Sequence, residues 1–529
     1  MVSPNVHQLS PGLDHHWTNR PEKLSEVQAV IIGRSDHKLI FAVRYANVVK
    51  IGQKYVRKRS YKKFDEGKFI SEVKEIRWWP VYQCTEVNEA VEIFTKNLTK
   101  ILDRQDMAPT RTFQTRQNYA SWLSEETKTL MSARDEAIIT FNNTKLPEDW
   151  EKARKLRNHV TRLLKTEKCR HSKAKIQQCE RERDPGRMWQ NIRGYLGWGG
   201  SSGAPTRLTD SSGKLITSPA GMAELQNKFY IEKVKTIRKS LPKQGDPTKQ
   251  LRKMMEKQPN PRPEGLKLTC VHPDAVDKAI KNLRNSKSCG LDNIDTYILK
   301  LVRPYIVPAL THIINTSITT LTFPTAYKTA KVVPLFKGKD APITAPKSYR
   351  PVALLPVVSK ILERVVHTQI MEYMDNNQFL HPQHHAYRSH RSTTTAMLSL
   401  HDSWVAAAEE GKLAGVALID MSAAFDVVDT EILLDKCKLF NFDQKTVQWL
   451  SSYLTTRSQC TYISGSTSSI LPLEAGVPQG SILGPALYTL YTCDFPEVVH
   501  QDDCPHSSRN REPGELIYRT MCTECVLCR

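Results

Sequence analysis

Beyond about residue 260 the chain alternates short strand-like runs with helical ones, and that alternation confines it to mixed α/β folds. "KVVPLF" and "VALID" are runs of β-branched and apolar residues that read as strands, whereas "HPDAVDKAIKNLRNS" reads as a helix. One strand ends on a charge. "LAGVALIDMSAAFDVVD" (413–429) drives an apolar run into Asp420 and places Phe425 five positions later.

The sequence ahead of that domain is of a different kind. From about 85 to 195 it is helical in pattern and highly charged. Trp150, Ala153, Leu156, Val160, Leu163 and Leu164 recur at helical spacing between Pro147 and Arg181, with Lys and Arg crowding the other face and Pro185-Gly186 as the stop. "GWGGSSGAP" (197–205) and the polar, Pro-containing stretch 241–265 read as flexible connectors, which puts the main boundary near 260. Residues 28–45 read as two β-strands around a polar turn, the end of a domain. Three segments are therefore expected: 1–45, a basic helical connector over 46–260, and an α/β domain over 261–529.

With 76 Lys and Arg against 55 Asp and Glu, the formal charge of +21 points to a polyanionic partner, most often nucleic acid. No uninterrupted apolar stretch reaches membrane-span length, and the first residues lack an apolar signal core. The expectation is a soluble protein, nuclear or cytoplasmic, with its 12 cysteines reduced. Cys522, Cys525 and Cys528 have zinc-like spacing, but no well-spaced fourth ligand accompanies them, and no zinc site is assigned.

Nucleotidyl transfer by the two-metal route needs carboxylates from separate segments to hold two ions about 4 Å apart. Asp420, at a strand end, suits a first ligand, with the carbonyls of Ile419 to Met421 as further oxygen donors. A lone strand-end Asp also fits a turn cap. "AGVPQGSILGPALYTLY" (475–491) places a Gly- and Pro-punctuated turn before an apolar helix, where bare backbone lets a base or nucleotide approach. Taken alone, "PQGS" fits a helix-capping turn as well. Lys337, Lys339 and Arg350 lie beside strands and suit a triphosphate, although each alone is an ordinary surface cation.

Read in order, "KSCGLDNIDTYILK", "TAKVVPLFKGKD", "SYRPVALLPVVSKILERVV", "QHHAYRSHRSTTTAML", "ALIDMSAAFDVVD" and "GVPQGSILGP" resemble the reverse transcriptases of non-LTR, LINE-type retrotransposons of the jockey-like group, over roughly 265–495. The resemblance implies right-hand polymerase fingers and a partial palm, an antiparallel sheet with helices. It makes Asp420 the metal ligand for Mg2+ (or Mn2+), and Phe425 a steric gate against a nucleotide 2′-hydroxyl. Gln479 and Gly480 become nucleotide and template contacts, and Lys337, Lys339 and Arg350 the fingers cations. Its partners would be an RNA template, a DNA primer at nicked target DNA, and deoxynucleoside triphosphates.

The family completes its site with an aromatic-x-Asp-Asp hairpin and then a thumb. The one Asp pair after "PQGS", Asp502-Asp503, lacks the aromatic, so both parts are expected to be missing. "GRSDHKLI" (33–40) resembles the last motif of the apurinic-type endonuclease of such elements, with Asp36 orienting His37, as a remnant that does not cut. The alternative to a polymerase is a catalytically inactive RNA- or DNA-binding fragment of a decayed element. A third outcome is a chain whose open palm sheet exposes an unpaired edge and does not fold stably.

Overall fold

A computed structural model describes residues 28–31, 38–41, 55–114, 122–182, 184–196, 204–241, 245–256, 264–286, 288–338, 341–382, 384–412, 414–419, 421–495 and 517–522. Packing divides the chain into Met1–Gln53 and Lys54–Arg529. In the first unit Gln28–Ile31 and Lys38–Phe41 pair antiparallel, as expected for two strands around a turn. Asp36 and His37 lie outside the described residues.

In the second unit one hydrophobic core runs from Phe69 to Cys493, straight across position 260. Helix Val87–Leu102 buries Val87, Ala90, Val91, Phe94, Leu98 and Leu102, a single stripe at helical spacing, against helix Arg303–Thr319. The latter is buried nearly all round, Thr311, Thr316 and Ser317 included, and belongs to the core. The basic stretch around residue 59, part of the expected connector, is likewise tied inward. Arg59, 8% exposed, donates to Asp103 (2.6 Å) and to the carbonyls of Asn293 (2.7 Å) and Ala108 (2.9 Å). Its strand, Tyr55–Arg59, pairs antiparallel with Thr110–Gln114, a strand inside the stretch read as mainly helical.

The expected helix is Pro147–Arg181, with proline in its first turn and Ala153 and Val160 buried. It packs on helix Glu125–Thr144, and the next helix, Pro185–Tyr195, starts on the proline read as a stop. Within 241–265, read as a connector, lies helix Lys249–Glu256. Its Leu251 is fully buried and its Met254 and Met255 pack on the core, because i, i+3 and i+4 make one apolar face even in a polar segment.

The main sheet corrects the antiparallel expectation. Its central strand, Thr329–Phe336, runs antiparallel to Tyr349–Leu354 and parallel to Ser458–Ile463, which also pairs antiparallel with Ser466–Thr467 and Leu471–Pro472. More than a hundred residues, several helices among them, separate the parallel partners, which is what a parallel crossover requires. Strand Ala414–Ile419 has a parallel neighbour in Ile517–Cys522. None of the helices among the described residues is long and apolar enough to cross a membrane.

Helix Pro219–Ser240 covers one face of the main sheet. Ser218 caps it by accepting the Gly221 amide, and Met222, Ala223, Gln226, Asn227 and Tyr230 form its buried stripe. Two fully buried amides anchor it: Gln226 donates to the Pro346 carbonyl (3.1 Å) and Asn227 to that of Ser469 (3.0 Å). Gln459 (3.0 Å) and Thr461 (3.2 Å) of the sheet donate in turn to Asn227.

Candidate functional site

The turn "AGVPQGS" is held on two sides by backbone. The Gly476 amide donates to the Val428 carbonyl (2.9 Å) and the Val477 amide to that of Phe425 (2.8 Å), so the turn is zipped to the loop that follows Asp420. On the other side the Ala353 amide donates to the Gln479 carbonyl (3.2 Å), covering the free edge of strand Tyr349–Leu354. Both contacts require glycine. A Cβ on Gly476 (φ +93°) would lie 2.7 Å from the Asp426 carbonyl oxygen, and one on Gly480 (φ +112°) would lie 2.5 Å from that of Ala353. The sequence-predicted Phe425, Gln479, Gly480 and the strand bearing Arg350 therefore converge.

Helix Leu483–Thr492 follows the turn and is pinned at both ends. At its start Glu363, fully buried on helix Val357–Asn376, accepts from the amides of Ile482 (2.6 Å) and Leu483 (3.3 Å) and from the Ser359 hydroxyl (2.7 Å). At its end Lys436 donates to the Tyr491 carbonyl (2.7 Å) and pairs with Asp494 (2.6 Å), both side chains buried. Negative charge at a helix N-terminus and positive charge at its C-terminus each complement the backbone dipole. Phe425 stacks on Tyr488 of this helix, centroids 4.8 Å apart, and meets Tyr387 edge-on at 6.2 Å. Its ring is thereby held in one orientation while part of it stays open.

Arg350 is exposed and pairs with Leu335 across the sheet, and the Lys337 amide donates to the Ser348 carbonyl (2.9 Å) just beyond. Partial burial lowers the Lys337 pKa, and the neighbouring Lys233 and Arg350 lower it further. Lys339 and Asp420 lie outside the described residues, as do Asp502 and Asp503. Among the described residues no three His, Cys, Asp or Glu side chains converge as metal ligands would.

Sequence reasoning missed several parts of the site. Asp426, next to Phe425, keeps some surface open, but the walls around its carboxyl strip it of water and push its pKa up to about 6, with Lys233 opposing. Helix Pro219–Ser240, read as connector, grips both loops: Arg238 pairs with Asp429 (2.7 Å) and Lys235 with Glu474 (2.8 Å). Glu363 left one signal, a lone acid within the apolar stripe of "SKILERVV".

Residues 337–509 match the family described as "Reverse transcriptase (RNA-dependent DNA polymerase)". The chain is 29% identical over 281 residues to the "Probable RNA-directed DNA polymerase from transposon BS" of Drosophila melanogaster, covering 53% of the chain and 30% of that protein. It is 31% identical over 231 residues to the "RNA-directed DNA polymerase from mobile element jockey" of the same species (44% and 25%). Against the "Probable RNA-directed DNA polymerase from transposon X-element" it is 27% identical over 292 residues (55% and 31%). The chain thus spans about a third or less of the length of these relatives.

Proposed function

We propose that this chain carries the template-copying part of an RNA-directed DNA polymerase of a LINE-type retrotransposon, adding deoxynucleotides to a primer 3′ end opposite RNA. The observation that carries the reading is the double backbone clamp on Gly476 to Gly480, which brings Phe425, Gln479 and the Arg350 strand to one place. The matches to reverse transcriptases support it.

In this reading the bare backbone at Gly480 lets the template base and incoming nucleotide lie flat on the turn, and Gln479 supplies an amide beside them. Arg350 and Lys337 answer the triphosphate charge; the Lys337 pKa is lowered first by partial burial and then by the neighbouring Lys233 and Arg350, a crowding that an anion would relieve. Phe425, wedged between Tyr387 and Tyr488, is rigid enough to reject a 2′-hydroxyl by contact. The resemblance brings Mg2+ or Mn2+ with Asp420 as ligand, an ion that would activate the primer hydroxyl and stabilise the leaving group. No complete ligand set for it stands among the described residues.

The test is primer extension on an RNA template with Mg2+, comparing the chain with Asp420→Ala and Phe425→Ala. Incorporation by the first that is lost in the second, with relaxed rejection of ribonucleotides by the third, supports the reading and requires a second carboxylate source in place of the Asp-Asp hairpin expected to be missing. Incorporation that ignores Asp420→Ala would overturn the assignment. Folded chain that binds RNA but extends no primer would leave the nucleic-acid-binding alternative standing in its place.

A further inference from the structure

A cavity of about 70 Å3 lies between helix Pro219–Ser240, the main sheet and the turn at Gly476, with room for roughly five to seven water-sized groups at about 10–15 Å3 each. Its walls are largely apolar, with Val332 and Ala353 on the strands and Val477 on the turn, and its rim carries the exposed Lys235, Glu474 and Gln479. Side chains alternate along a strand, so Arg350 and Val352 point to the opposite face of the sheet. The cavity therefore lies behind the place read as the triphosphate site.

Most polar groups that reach it are already paired. Arg238 holds Asp429 and Lys235 holds Glu474. The Arg457 guanidinium donates to the carbonyls of Tyr453 (2.7 Å) and Tyr327 (3.4 Å), and the Gln459 amide donates to Asn227. Two groups differ. Tyr230 is only 6% exposed and its hydroxyl has no hydrogen-bond partner, because the neighbouring Gln226 amide donates to the Pro346 carbonyl instead. The Asp426 carboxylate, stripped of water and only partly offset by Lys233, makes no ion pair or side-chain hydrogen bond among the described residues. Burial raises the Tyr230 pKa first and the Asp426 charge adds to it, with the Gln226 amide opposing, so the two groups act on each other across the cavity.

We propose that this cavity binds a small molecule made of a single apolar ring and one cationic N–H group, an amidinium or a protonated amine. The ring would take the apolar walls, and the N–H groups would meet the Asp426 carboxylate and the Tyr230 oxygen, two acceptors that lack a donor. Apolar walls with a few convergent polar groups are what a ligand of this size requires, and a charged hydrogen bond gains strength where water is scarce. An anion would meet the carboxylate instead and be repelled. Because helix, sheet and turn all contribute walls, an occupant would tie the backbone around Gly476 to helix Pro219–Ser240. The inference goes beyond the template-copying reading and does not depend on it.

Benzamidine is the probe, titrated into the full chain by isothermal calorimetry at pH 7.5, with benzoate as its anionic counterpart. Benzamidine should bind and benzoate should not. Tyr230→Phe keeps the ring and removes the hydroxyl, and should weaken benzamidine by about twofold to tenfold; Asp426→Asn should weaken it about tenfold or more. Asp402→Asn, at an exposed carboxylate on helix Thr393–Glu409, should change it by less than about twofold. Adding benzamidine should slow hydrogen exchange in peptides covering 228–235 and 474–480, and should not do so in Asp426→Asn. Asp426→Asn relieves a buried charge and is expected to fold at least as stably as the chain itself, so its loss of binding is not a loss of fold. No binding of benzamidine, equal binding of benzoate, or affinity unchanged in both Tyr230→Phe and Asp426→Asn would overturn the site. A chain that binds benzamidine here yet extends no primer keeps this site and loses the polymerase reading. One that extends primers and binds no benzamidine does the reverse.

Discussion

Removing the Glu363 carboxylate should open the start of helix Leu483–Thr492 and loosen the Gln479-Gly480 turn beside it. In Glu363→Ala the amides of Ile482 and Leu483 and the Ser359 hydroxyl lose their partner in a fully buried place. Each orphaned group costs about 1–3 kcal/mol, and together with the vacated volume about 3–5 kcal/mol is expected. In Glu363→Gln the amide oxygen can still accept and the amide nitrogen can face the hydroxyl, so the loss is that of charge against the helix dipole, about 1 kcal/mol. Hydrogen exchange read by mass spectrometry on peptides covering 478–492 resolves the two. If local opening governs exchange, Ala should speed it by about two to nearly four powers of ten and Gln by roughly fivefold. Unchanged protection in Glu363→Ala would refute the capping argument. Equal losses in both variants would refute the division between hydrogen bonding and charge.

Three further outcomes follow from the same geometry. Gly480→Ala, with its Cβ 2.5 Å from a carbonyl at φ +112°, should lower stability by at least about 2 kcal/mol in thermal denaturation and reduce primer extension. Lys436→Met leaves the buried Asp494 carboxylate unpaired and should cost about 3–5 kcal/mol, most of it recovered by adding Asp494→Leu; urea denaturation of both variants checks it. The Asp426 pKa is raised from 3.8 to about 6, so the folded chain holds that proton more firmly than the unfolded one, and the fold loses stability as pH rises from about 4 to about 6, the loss being complete above that. Asp426→Asn should therefore stabilise by up to about 3 kcal/mol at pH 7.5 and by nothing near pH 4, read from denaturation at both pH values.

Local chemistry was enough, from sequence alone, for the mixed α/β class, the long charged helix from Pro147, strands such as Thr329–Phe336, and the glycine turn at Gly480. Helical and strand periodicity, a proline start and a backbone needing φ > 0 are properties of neighbouring residues, and these leave their mark on the chain. What depends on distant partners left little or none. Leu251 and the amides of Gln226 and Asn227 sit in stretches that look polar, and only the surfaces they meet make them core residues. The parallel pairing of Ser458–Ile463 with Thr329–Phe336 and the burial of Arg59 join segments separated by long loops, whose closure no local pattern records. The same holds at the site. Residue types nominated Phe425, Gln479 and Arg350, but the tertiary structure brought Glu363, Asp426 and helix Pro219–Ser240 to them, because a buried charge is defined by what surrounds it in space.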